Sequence, residues 1–310
     1  MHREVKVRVG TRASRLALLQ AEEVIRALKS VEPRLEAEVV KIRTTGDKLL
    51  DAPLSRIGQK GVFVKEIEEA LLQGAIDIAV HSMKDLPTKL PQGLVVGAVP
   101  RRLDPRDVLL LKEGLFWPPG DGKGLRVGTS SLRRKVQLQA FWPSLEVLPL
   151  RGNLDTRLKK LHKGDYDLIV VAMAGLIRLL GGIPPGFKAV FEDRMLPAPG
   201  QGALAVECLE GSPLLELLSA IEDPQSAREV LAERSFLEEM GGGCQVPLGV
   251  LARCEGEKVV LRAVVFSLEG KRAFEGVKEG VDPVEVGRGL AKALKAQGAE
   301  GVLEEINRVV

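Results

Sequence analysis

The first hundred residues alternate strands and helices in an order that few folds can accommodate. Strand-like apolar runs at Val5–Val9, Glu38–Ile42 and Ile76–Val80 are separated by two segments whose apolar residues recur at helical spacing. The first of these helices follows Ser14, which is a suitable N-cap. Because a β-α-β-α-β order places its strands side by side and parallel, the sequence predicts a parallel sheet covered by helices.

The same order of elements begins again beyond residue 100. Strands are predicted at 125–127, Leu145–Leu150 and Leu168–Ala172, and each leads through a turn into a helix. The segment Pro197–Gly202 precedes a further strand, Ala203–Glu207, which we expect to return to the first sheet. We therefore predict two doubly wound α/β lobes that face each other across a cleft.

The last third of the chain differs because its strands follow one another without intervening helices. Strands at Val246–Arg253, Val259–Phe266 and Arg272–Val277 are joined by two Glu-Gly turns, as in hairpins. A predicted helix begins at Pro283 and ends at Gly298. This pattern indicates a small α+β domain with a three-stranded antiparallel sheet. The predicted division of the chain is 1–100 with 200–220 for the first lobe, 101–199 for the second lobe and 221–310 for the α+β domain.

Composition excludes several classes of protein. A chain of 310 residues with 45% hydrophobic residues can form two or three packed domains. A net charge of +3 and an aromatic content of 4% do not favour nucleic-acid binding. Neither an apolar signal core after Met1 nor an apolar run of membrane-spanning length occurs, so we expect a soluble, cytoplasmic protein. Cys208, Cys244 and Cys254 lack CxxC spacing and indicate neither a disulfide framework nor a zinc site.

The strand predicted at Ile76–Val80 runs into a polar segment that contains Ser82, Lys84 and Asp85. Ligands of open α/β sheets bind at the carboxyl ends of the strands, so this segment is the first candidate for chemistry. Asp85 is the candidate catalytic group. The alternative is that Pro87 ends the strand and that Asp85 only caps the turn.

Arginines recur where the predicted strands lead into helices. Arginine side chains bind carboxylates and phosphates through paired hydrogen bonds, and helix N-termini offer free N–H groups to the same anions. The pattern therefore predicts a cleft that binds an anion, whereas any one arginine taken alone is more often a solvated surface charge. The arginines at these positions are Arg12, Arg133, Arg134, Arg151, Arg157 and Arg178.

Cys244 differs from the other two cysteines in its surroundings. Cys208 and Cys254 lie at the ends of apolar predicted strands, where cysteine is usually a small buried residue. Cys244 follows three consecutive glycines, which remove side-chain bulk and would let its thiol project into a cleft. Since no histidine lies near it in the sequence to form a nucleophilic dyad, a covalent attachment point is the alternative that stays open.

Seven motifs follow one another along essentially the whole chain. They are Thr11-Arg12-Ala13-Ser14, Thr45-Gly46-Asp47, His81-Ser82-Met83-Lys84-Asp85, Gly128-Thr129-Ser130-Ser131-Leu132-Arg133-Arg134, Arg151-Gly152-Asn153-Leu154-Asp155-Thr156-Arg157, Pro199-Gly200-Gln201-Gly202 and Gly241-Gly242-Gly243-Cys244-Gln245-Val246-Pro247. In this order and spacing they closely resemble the porphobilinogen deaminase family. Two departures are minor: Arg15 stands where the family often has proline, and Arg56 stands where lysine is common.

The resemblance implies a transferase of porphyrin and haem biosynthesis. Such an enzyme joins four porphobilinogen molecules head to tail, releases ammonia each time and forms the linear tetrapyrrole hydroxymethylbilane. The resemblance further implies two doubly wound, periplasmic-binding-protein-like lobes with a small α+β C-terminal domain. It implies a dipyrromethane cofactor covalently attached to Cys244 as the primer. A monomer without metal, nucleic-acid partner or membrane partner is expected.

The resemblance also implies roles for individual residues. By analogy, Asp85 is the catalytic carboxylate, which helps the aminomethyl group leave as ammonia and stabilises the cationic pyrrole species that follow. The residues that match family positions around the cofactor are Asp47, Lys60, Ser82, Lys84, Thr129, Ser131, Arg133 and Arg134. The residues that match positions for the incoming substrate and growing chain are Arg12, Ser14, Arg151, Arg157, Arg178 and Gln201. Each pyrrole carries an acetate and a propionate, which suits an arginine-lined cleft.

Two other functions fit parts of the sequence. A solute-binding module would also have two α/β lobes around an anion-binding cleft, but it would need neither Asp85 nor Cys244. A nucleic-acid binder would use Arg101 and Arg102 together with the arginines near residue 133. The nearly balanced charge of the chain argues against this second alternative.

Overall fold

The computed structural model describes residues 5–48, 63–117, 124–241 and 246–309. The strands in these ranges are β1 (Val5–Arg12), β2 (Leu35–Ile42), β3 (Ile78–Ser82), β4 (Leu94–Ala98), β5 (Asp107–Lys112), β6 (Arg126–Gly128), β7 (Glu146–Leu148), β8 (Leu168–Ala172), β9 (Phe187–Val190), β10 (Leu204–Leu209), β11 (Leu248–Glu255), β12 (Lys258–Phe266) and β13 (Ala273–Gly280). The helices are α1 (Arg15–Val31), α2 (Thr45–Lys48), α3 (Lys65–Leu72), α4 (Leu132–Phe141), α5 (Leu154–Lys163), α6 (Met173–Leu180), α7 (Leu215–Ser219), α8 (Pro224–Glu239), α9 (Pro283–Leu294) and α10 (Glu300–Val309).

The first sheet has the strand order β2-β1-β3-β10-β4 and, with its helices, is termed the first lobe. β1 pairs in parallel with β2 and β3, as the β-α-β-α-β pattern predicts. β10 lies antiparallel between β3 and β4, with Ala205 opposite His81. The predicted return of the strand at 203–207 to the first sheet is therefore confirmed.

The second sheet, termed the second lobe with its helices, has the corresponding order β7-β6-β8-β5-β9. β6 pairs in parallel with β7 and β8, whereas β5 lies antiparallel between β8 and β9. Neither β5 nor β9 was predicted from the sequence, although the continuous apolar run Val108–Leu111 is typical of a fully buried strand. β5 and β10 each follow a point where the chain crosses between the lobes, so each crossing contributes a strand to the sheet it enters.

Helices cover both faces of each sheet. In the first lobe, Leu28 of α1 packs with Val9 on one face, and Ile67 of α3 packs with Ala79 on the other. In the second lobe, α4 covers one face, and α5 and α6 cover the other. The prediction of two doubly wound α/β lobes is confirmed by this arrangement.

The C-terminal part contains the sheet β11-β12-β13, which is antiparallel throughout, as predicted. Its core joins Phe236 of α8, Leu261 of β12 and Leu290 of α9. Gly298 lies just beyond α9 and breaks the regular helical backbone with a φ of 118°, which favours glycine. The chain does not end its helical structure there, however, because a π-helical stretch at Lys295–Ala299 leads on into α10.

The two described cysteines differ in burial. Cys208 of β10 is buried, as predicted, whereas Cys254 is only partly buried. The prediction for Cys254 was wrong because this residue lies at the end of β11, beside the exposed hairpin at Gly256. The domain limits given above stay a prediction.

No helix in the described ranges is both long enough and apolar enough to cross a membrane. Within the same residues, no group of three His, Cys, Asp or Glu side chains is placed to hold a metal ion.

Candidate active site

A cavity of about 370 Å³ opens between the two lobes. Its walls are the carboxyl ends of β1, β3 and β8 and the N-terminal turns of α1, α5 and α6. Ligands of α/β sheets bind at this edge. A second cavity of about 500 Å³ lies between residues 101–106 and the N-terminus of α8 and is lined by none of the predicted site residues.

Most of the predicted site residues meet at the cavity between the lobes. Those that line it are Arg12, Ser14, Asp47, Ser82, Lys84, Asp85, Arg134, Arg157, Arg178 and Gln201. Thr129, Ser131, Arg133 and the half-buried Arg151 do not line it. Lys60, Arg56 and Cys244 lie outside the described residues.

Asp85 ends the 3₁₀ turn Met83–Asp85 that follows β3. The turn is anchored by the buried Met83, whose N–H donates to the carbonyl of Ala203 at 3.0 Å. Just before the turn, the Ser82 hydroxyl accepts a hydrogen bond from Gln20 Nε2 at 2.8 Å. Among the described residues, the Asp85 carboxylate has no hydrogen-bond or ion-pair partner, and it lines the cavity. It is therefore placed to face a cation that forms there.

Lys84 adds a cation to the cavity wall beside Asp85. Burial lowers the pKa of Lys84 to about 8, with a further lowering by the charges of Arg134 and Arg133, although Asp85 and Asp107 act in the opposite direction. The side chain keeps part of its surface exposed, and it is mainly protonated at neutral pH. Lys84 thus offers a charge-assisted hydrogen bond to an anion in the cavity.

Arg12, at the end of β1, is held in place by Asp47 of α2. The Arg12 Nε donates to Asp47 Oδ1 at 3.1 Å, and the Thr44 hydroxyl donates to the same carboxylate at 2.8 Å. The guanidinium also lies 4.4 Å from the centre of the Phe63 ring. Burial would raise the pKa of Asp47, but the hydrogen bonds and charge of Arg12 outweigh it and lower the pKa. Asp47 thus positions an arginine of the cavity.

Asp107 holds two side chains of the cavity wall, Arg134 and Gln201, and was not predicted from the sequence. It begins β5, is buried and accepts hydrogen bonds from Arg133 at 2.6 Å, Arg134 at 2.7 Å and Gln201 at 2.8 Å. Burial would raise the pKa of Asp107, but the two guanidinium charges hold it well below its usual range. The sequence feature that could have identified Asp107 is its position at the start of a continuous apolar run. An aspartate there is expected to be buried, and a buried carboxylate requires a partner.

Two buried polar atoms on the cavity wall have no hydrogen-bond partner among the described residues. They are Nε of Arg134 and Oε1 of Gln201, whose side chains are almost fully buried. Buried donors and acceptors are normally paired, so both atoms are available to a polar ligand. A ligand that carries both carboxylates and N–H groups would satisfy one donor and one acceptor here.

Arg157 and Arg178 bring cations from the second lobe. Arg157 Nε donates to the Gly152 carbonyl at 2.9 Å, and no carboxylate pairs with this arginine in the described part of the chain. Burial and, to a smaller extent, the charge of Arg134 lower the pKa of Arg157 to about 10. Arg178 instead forms an ion pair with Glu23 of α1 at 2.7 Å. The two arginines therefore differ in how readily they can accept a new anion.

The remaining serine and threonine side chains shape the turns at the edge of the site. The Ser131 hydroxyl caps α4 by accepting from the N–H of Arg134 at 3.5 Å, and the Thr129 hydroxyl accepts from the N–H of Ser131 at 3.2 Å. Ser14 caps α1, as predicted. Thr129 and Ser131 therefore act on the cavity through the position of Arg134.

Among the described residues, those that line the cavity include more cations than carboxylates. The cations are Arg12, Lys84, Arg134, Arg157 and Arg178, and the carboxylates are Asp47 and Asp85. Because Asp47 is engaged with Arg12, Asp85 is the carboxylate that remains available among the described residues of the wall. The site is suited to a polyanion that develops positive charge at one point.

Two family models match the chain. Residues 7–216 match the model described as "Porphobilinogen deaminase, dipyromethane cofactor binding domain", and residues 227–296 match "Porphobilinogen deaminase, C-terminal domain". Among curated relatives, the porphobilinogen deaminase of Brevibacillus brevis is 47% identical over 306 residues, which covers 98% of each chain. Those of Geobacillus kaustophilus and Bacillus subtilis are 48% and 45% identical and cover 97% of this chain, with 97% and 96% of their own lengths.

Solved structures with similar folds include periplasmic proteins. The periplasmic VFT2 domain of BvgS from Bordetella pertussis is 15% identical, with a TM-score of 0.41 over 70% of this chain and 86% of that chain. The aliphatic sulphonate binding protein SsuA from Escherichia coli is 17% identical, with a TM-score of 0.39 over 76% of this chain and 68% of that chain. These likenesses are distant, and the fold described above rests on the strand pairing of the chain itself.

Proposed function

The chain belongs to the porphobilinogen deaminase family, and from this premise we propose that Asp85 is its catalytic carboxylate and that Cys244 carries its cofactor. The enzyme is a hydroxymethylbilane synthase, a transferase of tetrapyrrole biosynthesis. It condenses four porphobilinogen molecules head to tail, with release of ammonia, and it uses a dipyrromethane cofactor. The observation that carries the assignment of Asp85 is its carboxylate, which has no partner among the described residues and lies on a cavity wall that is otherwise rich in cations.

The charges of the cavity fit the substrate. Each porphobilinogen carries an acetate and a propionate, and each condensation adds two carboxylates to the chain that the site must hold. Arg157 has no carboxylate partner among the described residues, and Lys84 is mainly protonated at neutral pH. Charge-assisted hydrogen bonds to such groups contribute about 1.5–3 kcal/mol each. The wall can therefore hold the carboxylates while leaving the pyrrole carbons to react.

The residues present fit a dipyrromethane. Its carboxylates suit Lys84 and the Nε of Arg134, and its pyrrole N–H groups suit the Oε1 of Gln201, since neither of these two atoms has a partner in the described part of the chain. When bound, the dipyrromethane supplies the pyrrole carbon to which the first substrate is joined. Arg133, Thr129 and Ser131 would support it indirectly, through their contacts to Asp107 and the turn before α4.

Asp85 acts on the incoming substrate. As the aminomethyl group leaves as ammonia, positive charge develops on the substrate pyrrole. A carboxylate held nearby on the cavity wall stabilises that charge by direct electrostatic attraction. Because Asp85 forms no ion pair with another described residue, its charge is available for this purpose.

The remaining site residues are assigned to the carboxylates of the substrate and of the growing chain. Arg12 is held by Asp47, whereas Arg157 and Arg178 project from the second lobe. Ser14 lies at the first turn of α1, and Gln201 lies where the chain returns to the first lobe. Arg151 is assigned to the same group from its motif, and Lys60 and Ser82 are assigned to the cofactor on the same ground.

The intact mass of the purified, denatured and reduced protein tests the role of Cys244. We expect an adduct of two linked pyrrole units in the unaltered protein and in Cys254→Ser, but not in Cys244→Ser. An unmodified protein would be incubated with porphobilinogen and weighed again. If no adduct forms then, or if Cys244→Ser still carries one, Cys244 is not the attachment residue, and the binding-module alternative gains support.

Asp85→Asn tests the catalytic carboxylate. The amide has nearly the same shape but cannot stabilise a cation by its charge. Loss of one preorganised electrostatic group typically costs about 100-fold to 1,000-fold in kcat. We expect a loss of this size with the cofactor adduct and the unfolding midpoint unchanged, whereas Asp165→Asn on the exposed surface should be fully active. Near-normal turnover of Asp85→Asn would remove the role given to Asp85.

We also propose that the enzyme is a cytoplasmic monomer that needs no nucleic-acid or membrane partner. The nearly balanced net charge of +3 supports the absence of a nucleic-acid partner. Light scattering after gel filtration tests the monomer, and a dimer mass would contradict it.

A further inference from the structure

Arg234 of α8 reaches the chain segment that follows Asp85. Its Nη1 donates to the carbonyl of Leu86 at 3.2 Å, and its Nη2 donates to the carbonyls of Pro87 at 2.7 Å and Thr88 at 3.3 Å. One guanidinium therefore binds three successive peptide carbonyls, which begin at the residue next to the proposed catalytic carboxylate.

This segment has few restraints of its own. It belongs to no helix or strand between the 3₁₀ turn and β4, and Pro87 has no N–H to donate. Leu86 is buried in a cluster that includes Met83 of the turn and Val230 of α8. Val230 and Arg234 lie four residues apart and share one face of α8. That face of α8 thus packs against the turn through one apolar and one charged side chain.

The Arg234 guanidinium is used for these carbonyls and not for a salt bridge. In the described part of the chain no carboxylate lies within ion-pair distance of it. Burial lowers the pKa of Arg234, and the more distant charges of Glu238 and Glu207 oppose that effect. Removing a cation from water is costly, and the planar fork of arginine repays the cost where several acceptors must be held in one geometry.

α8 also leads toward the proposed cofactor residue. The helix ends at Glu239, and Cys244 follows five residues later in the sequence. We propose that Arg234 is a positioning residue that sets the place and direction of Asp85 from the helix that precedes Cys244. The inference rests on the proposed function, because it gives Arg234 its effect through Asp85.

The test compares two arginines of α8 that both donate to backbone carbonyls. Arg234→Gln removes the clamp on the segment after Asp85. Arg228→Gln removes contacts to the carbonyls of Glu257 and Val281, which lie within the C-terminal part. A misplacement of about 1 Å at a reacting group costs up to about 100-fold in rate. We expect kcat of Arg234→Gln to fall about 10-fold to 100-fold with KM within about twofold and a normal cofactor adduct, whereas Arg228→Gln keeps its kcat.

Arg234→Lys keeps the charge but not the fork, and we expect its kcat to lie between those of the unaltered enzyme and Arg234→Gln. Arg234→Lys also tests the proposal if Arg234→Gln does not fold. Unchanged kcat in both Arg234 variants, an equal loss in Arg228→Gln, or loss of the cofactor adduct would overturn the proposal.

A double substitution separates positioning from general stability. If Arg234 acts through Asp85, Arg234→Gln should change single-turnover rates little in an Asp85→Asn background. A full, undiminished loss in that background would overturn the role of Arg234 and leave that of Asp85 intact. If instead Asp85→Asn alone were fully active, the proposed function of Asp85 would fail, whatever Arg234→Gln did.

Discussion

Glu23 and Arg178 form an ion pair that joins the two lobes, with Arg178 Nε 2.7 Å from Glu23 Oε2. Glu23 lies on α1 and Arg178 on α6, and the guanidinium is buried while the carboxylate is about 28% exposed. Arg178 also lines the cavity proposed to bind the substrate carboxylates. Because one guanidinium fork cannot bind two carboxylates fully, we expect Glu23 to compete with the substrate for Arg178, which would couple substrate binding to the contact between the lobes.

Glu23→Gln should therefore tighten substrate binding. A partly exposed ion pair contributes up to about 1 kcal/mol, which corresponds to about a fivefold change in affinity. We expect the KM for porphobilinogen to fall by up to about fivefold, with little change in kcat, in steady-state assays. Glu22→Gln, which alters an exposed neighbour on α1, is the control. A higher KM in Glu23→Gln would mean that Glu23 orients Arg178 and does not compete for it.

The sequence was informative where a site residue lies next to the end of a strand. Arg12 ends β1, and Lys84 and Asp85 directly follow β3. Because β1 and β3 are parallel neighbours, their carboxyl ends meet at one edge of the sheet, which the order of elements in the sequence is enough to predict. Ser14 was predictable for a similar reason, since a helix cap is a local feature of the chain.

The pairing of these residues was not predictable in the same way. Asp107 reaches Arg133 and Arg134 only because β5 enters the second sheet antiparallel beside β8. The pair formed by Glu23 and Arg178 spans 155 positions and depends on how the lobes face each other. Local motifs contain no information on such contacts, because the contacts depend on where the chain crosses between the lobes.

Asp107→Asn should destabilise the second lobe. The buried carboxylate neutralises two buried guanidinium groups, and the amide would leave both without their counter-charge. Breaking a buried ion pair from one side costs about 3–5 kcal/mol, whereas an exposed pair contributes about 0–1 kcal/mol. Urea unfolding should show a loss in the larger range for Asp107→Asn and in the smaller range for Asp104→Asn, which alters an exposed pair with Arg106. Equal losses in the two variants would contradict the importance of the buried cluster.

Arg157→Gln should weaken substrate binding without weakening the fold. Arg157 has no carboxylate partner among the described residues and lies near the like charge of Arg134, so its removal breaks no ion pair. Loss of one charge-assisted hydrogen bond of about 1.5–3 kcal/mol predicts a KM about 10-fold to 100-fold higher. Lys159→Gln makes the same change of charge at an exposed position of α5 and should leave KM unchanged. An unaltered KM in Arg157→Gln would show that this arginine does not contact the substrate.

Glu68→Gln should remove a pH-dependent loss of stability. Glu68 of α3 is buried near Glu207 of β10 and His81 of β3, and its Oε1 has no hydrogen-bond partner among the described residues. Burial, and then the charge of Glu207, raise the pKa of Glu68 from 4.5 to about 7, although His81 acts in the opposite direction. The folded protein therefore keeps this proton at a pH where the unfolded chain has released it.

The sign of the effect follows from that difference in pKa. Below about pH 4.5 Glu68 is protonated in both states, and stability falls as the pH rises from there to about 7, by on the order of 3 kcal/mol in total. Glutamine resembles the protonated form at every pH. Urea unfolding should therefore give nearly equal stabilities for Glu68→Gln and the unaltered enzyme at pH 4, and a more stable variant at pH 8. Glu69→Gln, on the exposed side of α3, should show no such gain, and a gain in Glu68→Gln that is the same at both pH values would contradict the raised pKa.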